Sequence, residues 1–255
     1  MVIIENKYIN KIPVLDLARQ ELRKAQLPVI IFVHGFTSAK EHNLHYAYLL
    51  AEKGFRVVLP DTLFHGERAA GLSGNDLNFR LWDIVLHTIT ELKIIKEAYV
   101  DEKLIKPERI GLVGTSMGGI VTLGALTQYA WVKAAVSLMG MPYYEKFAQW
   151  QMDELQKNNI EIPMNEEEVT DLLKTLRKRD LSLQPEKLGK RPLMFWHGKK
   201  DSVVPFSYTY HFYESIQPLY NDAPEKLRFI TDDKAGHKVS NEGLLETVKW
   251  FETHL

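Results

Sequence analysis

The chain has 255 residues, a length that one large α/β domain commonly fills, and with 45% hydrophobic residues it can bury a core without metal or cross-link. The absence of cysteine excludes a disulfide framework, a thiolate-held zinc or iron–sulfur site and a cysteine nucleophile, so any chemistry must use oxygen or nitrogen. Lys and Arg number 32 against 33 Asp and Glu, with no long block of one sign, so nucleic acid is not an expected partner.

The amino terminus carries Glu5 within its first apolar run and lacks the basic-then-apolar order of a secretory leader. The longest apolar stretches, such as LPVIIFV at 27–33, fall well short of the about 18 residues that cross a bilayer. A cytoplasmic protein without membrane contact is therefore expected. Residues 2–8 and 12–17, separated by a short polar turn, predict an antiparallel hairpin at the edge of a sheet. Four near-continuous apolar runs follow at 29–34, 56–61, 110–114 and 134–139, as expected of strands covered on both faces. Two more, at 193–197 and 227–231, bring the sheet to about eight strands. Helices are expected between them at 42–52, 81–95, 118–129, 207–216 and 241–253, the last with Asn241 as its cap. This alternation predicts an α/β fold with a mostly parallel sheet flanked by helices, in one domain over 1–255. Residues 141–190 are too long for an ordinary strand-to-helix connection and read as a helical cap inserted over one end of the sheet.

Gly114-Thr115-Ser116-Met117-Gly118 follows an apolar strand and opens a helix, a setting that forces a serine onto a strained turn with its hydroxyl outward. Ser116 is the candidate nucleophile. A serine hydroxyl needs a base and an orienting carboxylate. Asp201, in the tight loop after the strand ending at His197, is the candidate acid, and His237, in the loop before the last helix, is the candidate base. Serine, aspartate and histidine then follow in chain order, each just past a sheet strand at the same end of the sheet. Asp232 and Asp233 are lesser rivals for the acid. Backbone N–H groups of Met117 and Phe36 are the candidate oxyanion donors, with Thr37 as an alternative to Phe36. His34 reads as a structural histidine. His42 and His45 lack further ligands to make a metal site, and no metal is expected. Thr37, His65, Tyr143 and Trp150 are candidate substrate contacts; Tyr144, Phe147 and Met152 either wall the site or pack the cap.

The segments HGF at 34–36, GTSMG at 114–118, HGKKDSVVP at 197–205 and AGH at 235–237 resemble the α/β-hydrolase superfamily over nearly the whole chain. Pro60-Asp61 followed by His65-Gly66, with the GTSMGG elbow, is similar to the dienelactone-hydrolase and prolyl-oligopeptidase-related branch, near small bacterial esterases of the YitV/YjfP type. The resemblance implies an acyl-serine hydrolase without a cofactor. The chain departs from dienelactone hydrolases in having no cysteine, and from oligopeptidases in having no room for a propeller. The expected activity is hydrolysis of small, short-chain acyl esters. A peptidase or amidase with the same residues, or a low-turnover sensor of small ligands, are the alternatives.

Overall fold

A computed structural model describes all 255 residues. Strands β1 (Val2–Ile9) and β2 (Ile12–Arg19) form the expected hairpin, closed by Asn10 and Lys11 at φ 45° and 70°. Two successive left-handed residues give the turn whose twist matches a hairpin. The sheet continues with β3 (Leu27–Val33), β4 (Arg56–Pro60), β5 (Ile105–Thr115), β6 (Val132–Leu138), β7 (Leu193–Gly198) and β8 (Leu227–Asp232). Their order is β1-β2-β4-β3-β5-β6-β7-β8, antiparallel through β2 and β4 and parallel from there on. The chain therefore leaves β3 toward β4 on one side and returns to β5 on the other. In such sheets the crevice at the carboxyl ends of the two central strands is where ligands bind.

Eight helices flank the sheet: α1 (Leu44–Glu52), α2 (Gly74–Phe79), α3 (Leu81–Asp101), α4 (Met117–Gln128), α5 (Tyr144–Lys157), α6 (Glu166–Arg177), α7 (Phe206–Ile216) and α8 (Asn241–His254). Alternate strand residues feed separate clusters. Val29, Ile31 and Val33 join a 39-residue cluster with α3, α4 and α7, whereas Ile30 and Phe32 join a 21-residue cluster with α1 and α8. Burial on both faces is why these strands read as unbroken apolar runs.

Several boundaries differ from expectation. Strand β5 starts at Ile105, which pairs with Leu27 ahead of a register irregularity; Pro107, with no N–H for the ladder, lies in that stretch. Helix α2 was not signalled by periodicity and is set by Ser73, which accepts from Asp76 N–H. Ser240, not Asn241, caps α8 by accepting from Gly243 N–H, because Ser240 has the extended backbone that a cap requires and Asn241 is already helical.

Helices α5 and α6 fall within 141–190. The Tyr144 hydroxyl donates to the Ile120 carbonyl, Trp82 Nε1 donates to Gln151 Oε1 at 2.9 Å, and Arg177 pairs with Glu145 at 2.6 Å, fastening this segment to α4 and α3 and its two helices to each other. No helix is long and apolar enough to cross a membrane.

Candidate active site

Ser116 joins β5 to α4 at φ 52° and ψ −114°, a backbone that costs a non-glycine residue about 1–3 kcal/mol. Packing enforces it. A Cβ on Gly114 would stand 2.2 Å from the Gly118 carbonyl, and one on Gly118 would stand 2.0 Å from the Val33 carbonyl. The flanking glycines are thus needed for close backbone approach, not for left-handed dihedrals.

His237 Nε2 lies 2.7 Å from Ser116 Oγ, and its Nδ1 lies 2.7 Å from Asp201 Oδ2. The three predicted residues are brought into one hydrogen-bonded chain. The loops after β7 and β8 are stitched together: Lys199 N–H donates to the Asp232 carbonyl and Lys200 N–H to the Ala235 carbonyl. Asp232 Oδ1 accepts from Lys234 and Ala235 N–H and shapes its own loop, while Asp233 pairs with Lys199, so neither rival acid touches His237.

Burial pushes the Asp201 carboxyl up, but hydrogen bonds outweigh it and hold it well below the usual carboxylate range. The donors are His197, His237, and the Val204 and Val203 amides, both amides at 2.9 Å from Oδ1. His197 was not singled out by the sequence. It is fully buried at the end of β7, with Nε2 2.9 Å from the Val204 carbonyl and 3.2 Å from Asp201 Oδ2. A histidine four residues before the acid was the available signal.

The loop after β3 passes so close to the elbow that a Cβ on Gly35 would lie 3.6 Å from Ser116 Cβ. Phe36 N–H has no acceptor in the protein, and Met117 N–H, the first amide of α4, is one that a helix leaves without an internal partner. Thr37 N–H is engaged, donating to His65 Nε2 at 3.0 Å, which removes it as the alternative donor. His34 is fully buried, with Nδ1 2.7 Å from the Gly35 carbonyl and Nε2 accepting from Thr62 N–H at 3.1 Å. Burial brings its pKa down to about 4. Below the ordinary histidine value near 6.5 the unfolded chain takes up a proton that the folded chain refuses. Stability is therefore expected to fall by about 3 kcal/mol as pH drops from 6.5 to 4. His65, also lowered by burial, acts in the same direction. The loss of Asp201 ionisation belongs to still lower pH. Urea unfolding across that interval checks this, and a flat stability would refute it.

A profile of the prolyl oligopeptidase family matches residues 41–255. The chain belongs to the prolyl oligopeptidase family. It is 54% identical to YitV of Bacillus subtilis (strain 168), whose name assigns it provisionally to the esterases, over 100% of both chains. It is 30% identical to esterase YjfP of Escherichia coli (strain K12), again over 100% of both. The fold matches the acylaminoacyl peptidase of Pyrococcus horikoshii with a TM-score of 0.71 at 22% identity, covering 100% of this chain and 41% of that one. The family and the α/β-hydrolase fold suggested by the motifs are thereby established, and the chain is an enzyme, a serine hydrolase.

In this prolyl oligopeptidase family member, Ser116, Met117 and Phe36 open onto a cavity of about 410 Å³. Trp150 lines it, and so do Phe147 and Met152, which are also buried with the core. Thr37, His65 and Tyr143 do not line it. His65 is buried behind Thr37, and Tyr143 turns toward the rings of Tyr208 and Phe212. Tyr144 is wholly buried. The wall also includes Phe79 from the unforeseen α2 and Val203 and Val204 beside Asp201. His42 pairs with Ser38 and His45 lies against Tyr46, and no group of metal-ligating side chains assembles.

Proposed function

We propose that the protein is a carboxylic-ester hydrolase acting on small esters with short apolar acyl groups through an acyl-serine intermediate. The observation that carries this reading is Ser116 Oγ, 2.7 Å from His237 Nε2, facing a cavity in which 17 of 23 lining residues are hydrophobic. Glu154 is the sole charged residue of that lining, so nothing there would pair with a peptide's carboxylate. The names of YitV and YjfP support an ester substrate.

In this mechanism His237 Nε2 takes the Ser116 proton as Oγ attacks the ester carbonyl. Asp201, kept ionised by its four donors, holds Nδ1–H and stabilises the imidazolium. The carbonyl oxygen, now negative, accepts from Phe36 and Met117 N–H. His237 then protonates the departing alcohol, and a water activated by the same imidazole releases the acid. Residues 141–190 act as a cap on a single domain over 1–255, supported by Trp150, Met152 and Ile160 lying in the same wall system as Ser116.

The test is hydrolysis of p-nitrophenyl esters from acetate through butyrate and octanoate to palmitate, with fluorophosphonate labelling mapped to a residue. Turnover is expected to be highest on the shorter chains and to collapse by palmitate, with the label on Ser116. Label on Ser116 without ester turnover would favour an amide substrate or a sensor, and no label would refute the nucleophile.

A further inference from the structure

His65 is not among the residues that line the cavity, yet it bonds to Thr37, the neighbour of the proposed oxyanion donor Phe36. Its Nδ1 lies 2.9 Å from the Leu63 carbonyl and 3.1 Å from Thr62 Oγ1, and its Nε2 accepts from Thr37 N–H at 3.0 Å. A ring that donates at Nδ1 and accepts at Nε2 is neutral, and its tautomer is fixed by the carbonyl. The ring also meets Phe36 edge-on, with centroids 5.4 Å apart.

The loop carrying Phe36 is fastened a second time just beyond. Lys40 N–H donates to Asp61 Oδ1 at 3.0 Å and Lys40 Nζ to Oδ2 at 2.7 Å, while Glu67 N–H donates to Oδ2 at 3.0 Å. Gly66, at φ +53°, lies so tightly on Asp61 that a Cβ would stand 2.1 Å from its Oδ1. The segment after β4 is therefore a rigid abutment, and His65 is its point of contact with Thr37. Thr37 itself holds φ 58°, which a non-glycine residue keeps only where its surroundings impose it. That amide is spent on His65, whereas the Phe36 N–H beside it has no acceptor in the protein.

We propose that His65 is a positioning residue: by accepting the Thr37 N–H in its neutral form, it sets the orientation of the Phe36 N–H that receives the oxyanion. The inference rests on the acyl-serine reading above. It predicts that His65 matters to the transition state and little to ground-state binding, because the substrate carbonyl needs that donor most as it becomes negative.

The experiment compares kcat and KM for p-nitrophenyl butyrate in the wild-type protein, His65→Phe and His65→Gln. A misaligned donor is expected to lower kcat in His65→Phe by about 10- to 100-fold with KM nearly unchanged. His65→Gln, whose side-chain carbonyl can accept from Thr37, is expected to regain most of the rate. An unchanged kcat in His65→Phe, a loss carried by KM, or a loss that Gln does not relieve would overturn the proposal. Should His65→Phe not fold, ¹⁵N NMR of the wild-type ring decides: Nδ1 protonated and Nε2 bare supports the assignment, and the opposite tautomer overturns it. A wild-type protein that neither hydrolyses esters nor labels at Ser116 would instead remove the catalytic reading beneath it, a result distinct from every His65 outcome.

Discussion

Replacing Ser116 with alanine is expected to lower kcat for ester hydrolysis by about a thousandfold or more, and adding His237→Ala is expected to cost little further. The two residues share one proton across 2.7 Å, so removing either ends the same step. Asp201→Asn should come close to the same loss. Asp201 Oδ1 accepts from the Val203 and Val204 amides, and Oδ2 faces the ring nitrogens of His197 and His237. An asparagine keeping its oxygen on the amides would turn its NH₂ toward both histidines, setting donor against donor and driving His237 to the wrong tautomer. Steady-state rates on purified, folded variants check this. Near-normal turnover by Ser116→Ala, or losses that multiply in the double variant, would sink the assignment.

Asp61→Ala is expected to destabilise the fold by about 3–5 kcal/mol, the range for breaking a buried ion pair from one side. Asp61 and Lys40 are both fully buried, and alanine would strand the Lys40 and Glu67 amides and take from the ammonium its one fully buried partner. Burial would lower the Lys40 pKa, but its contacts with Asp61, Glu41 and Glu67 prevail and raise it, so the charge persists. Glu41 and Glu67 remain as partners, yet both are partly open to water, where an ion pair contributes less. Lys40→Met in the Asp61→Ala background is expected to restore part of the loss, since it removes a buried charge that has lost its buried partner. Urea midpoints at neutral pH read both effects. A loss under about 1 kcal/mol for Asp61→Ala would show that the cluster contributes little.

The strands were legible because burial on both faces writes itself as continuous apolar sequence, as in 29–33, and the hairpin because its two-residue turn is polar. Ser116 was legible for a local reason: strand, tight turn and helix are contiguous, and the glycines report how closely Gly114, Gly118 and Val33 pack. Asp201 and His237 followed from their places after successive strands. What failed to show was decided between loops. The Thr37 amide meets His65 across 28 residues, so a loop pair that fixes the oxyanion segment looked like a set of substrate contacts. Tyr143 precedes α5 and packs on Tyr208 and Phe212, whereas Trp150 lies inside the helix and lines the cavity, and spacing does not encode those poses. His197 was hidden because a buried polar side chain on an apolar strand has the same pattern as any core position.

The hydrogen bond between Ser116 and His237 spans 121 residues of sequence, and the partner histidine comes only after β8, the last strand of the chain and one edge of the sheet. During synthesis, the serine emerges while its base has yet to be translated. A nascent or partly unravelled chain thus carries an inert alcohol. Under the proposed mechanism the base is missing until β8 and the loop after it are in place, so turnover is expected to track how much of a preparation is fully native.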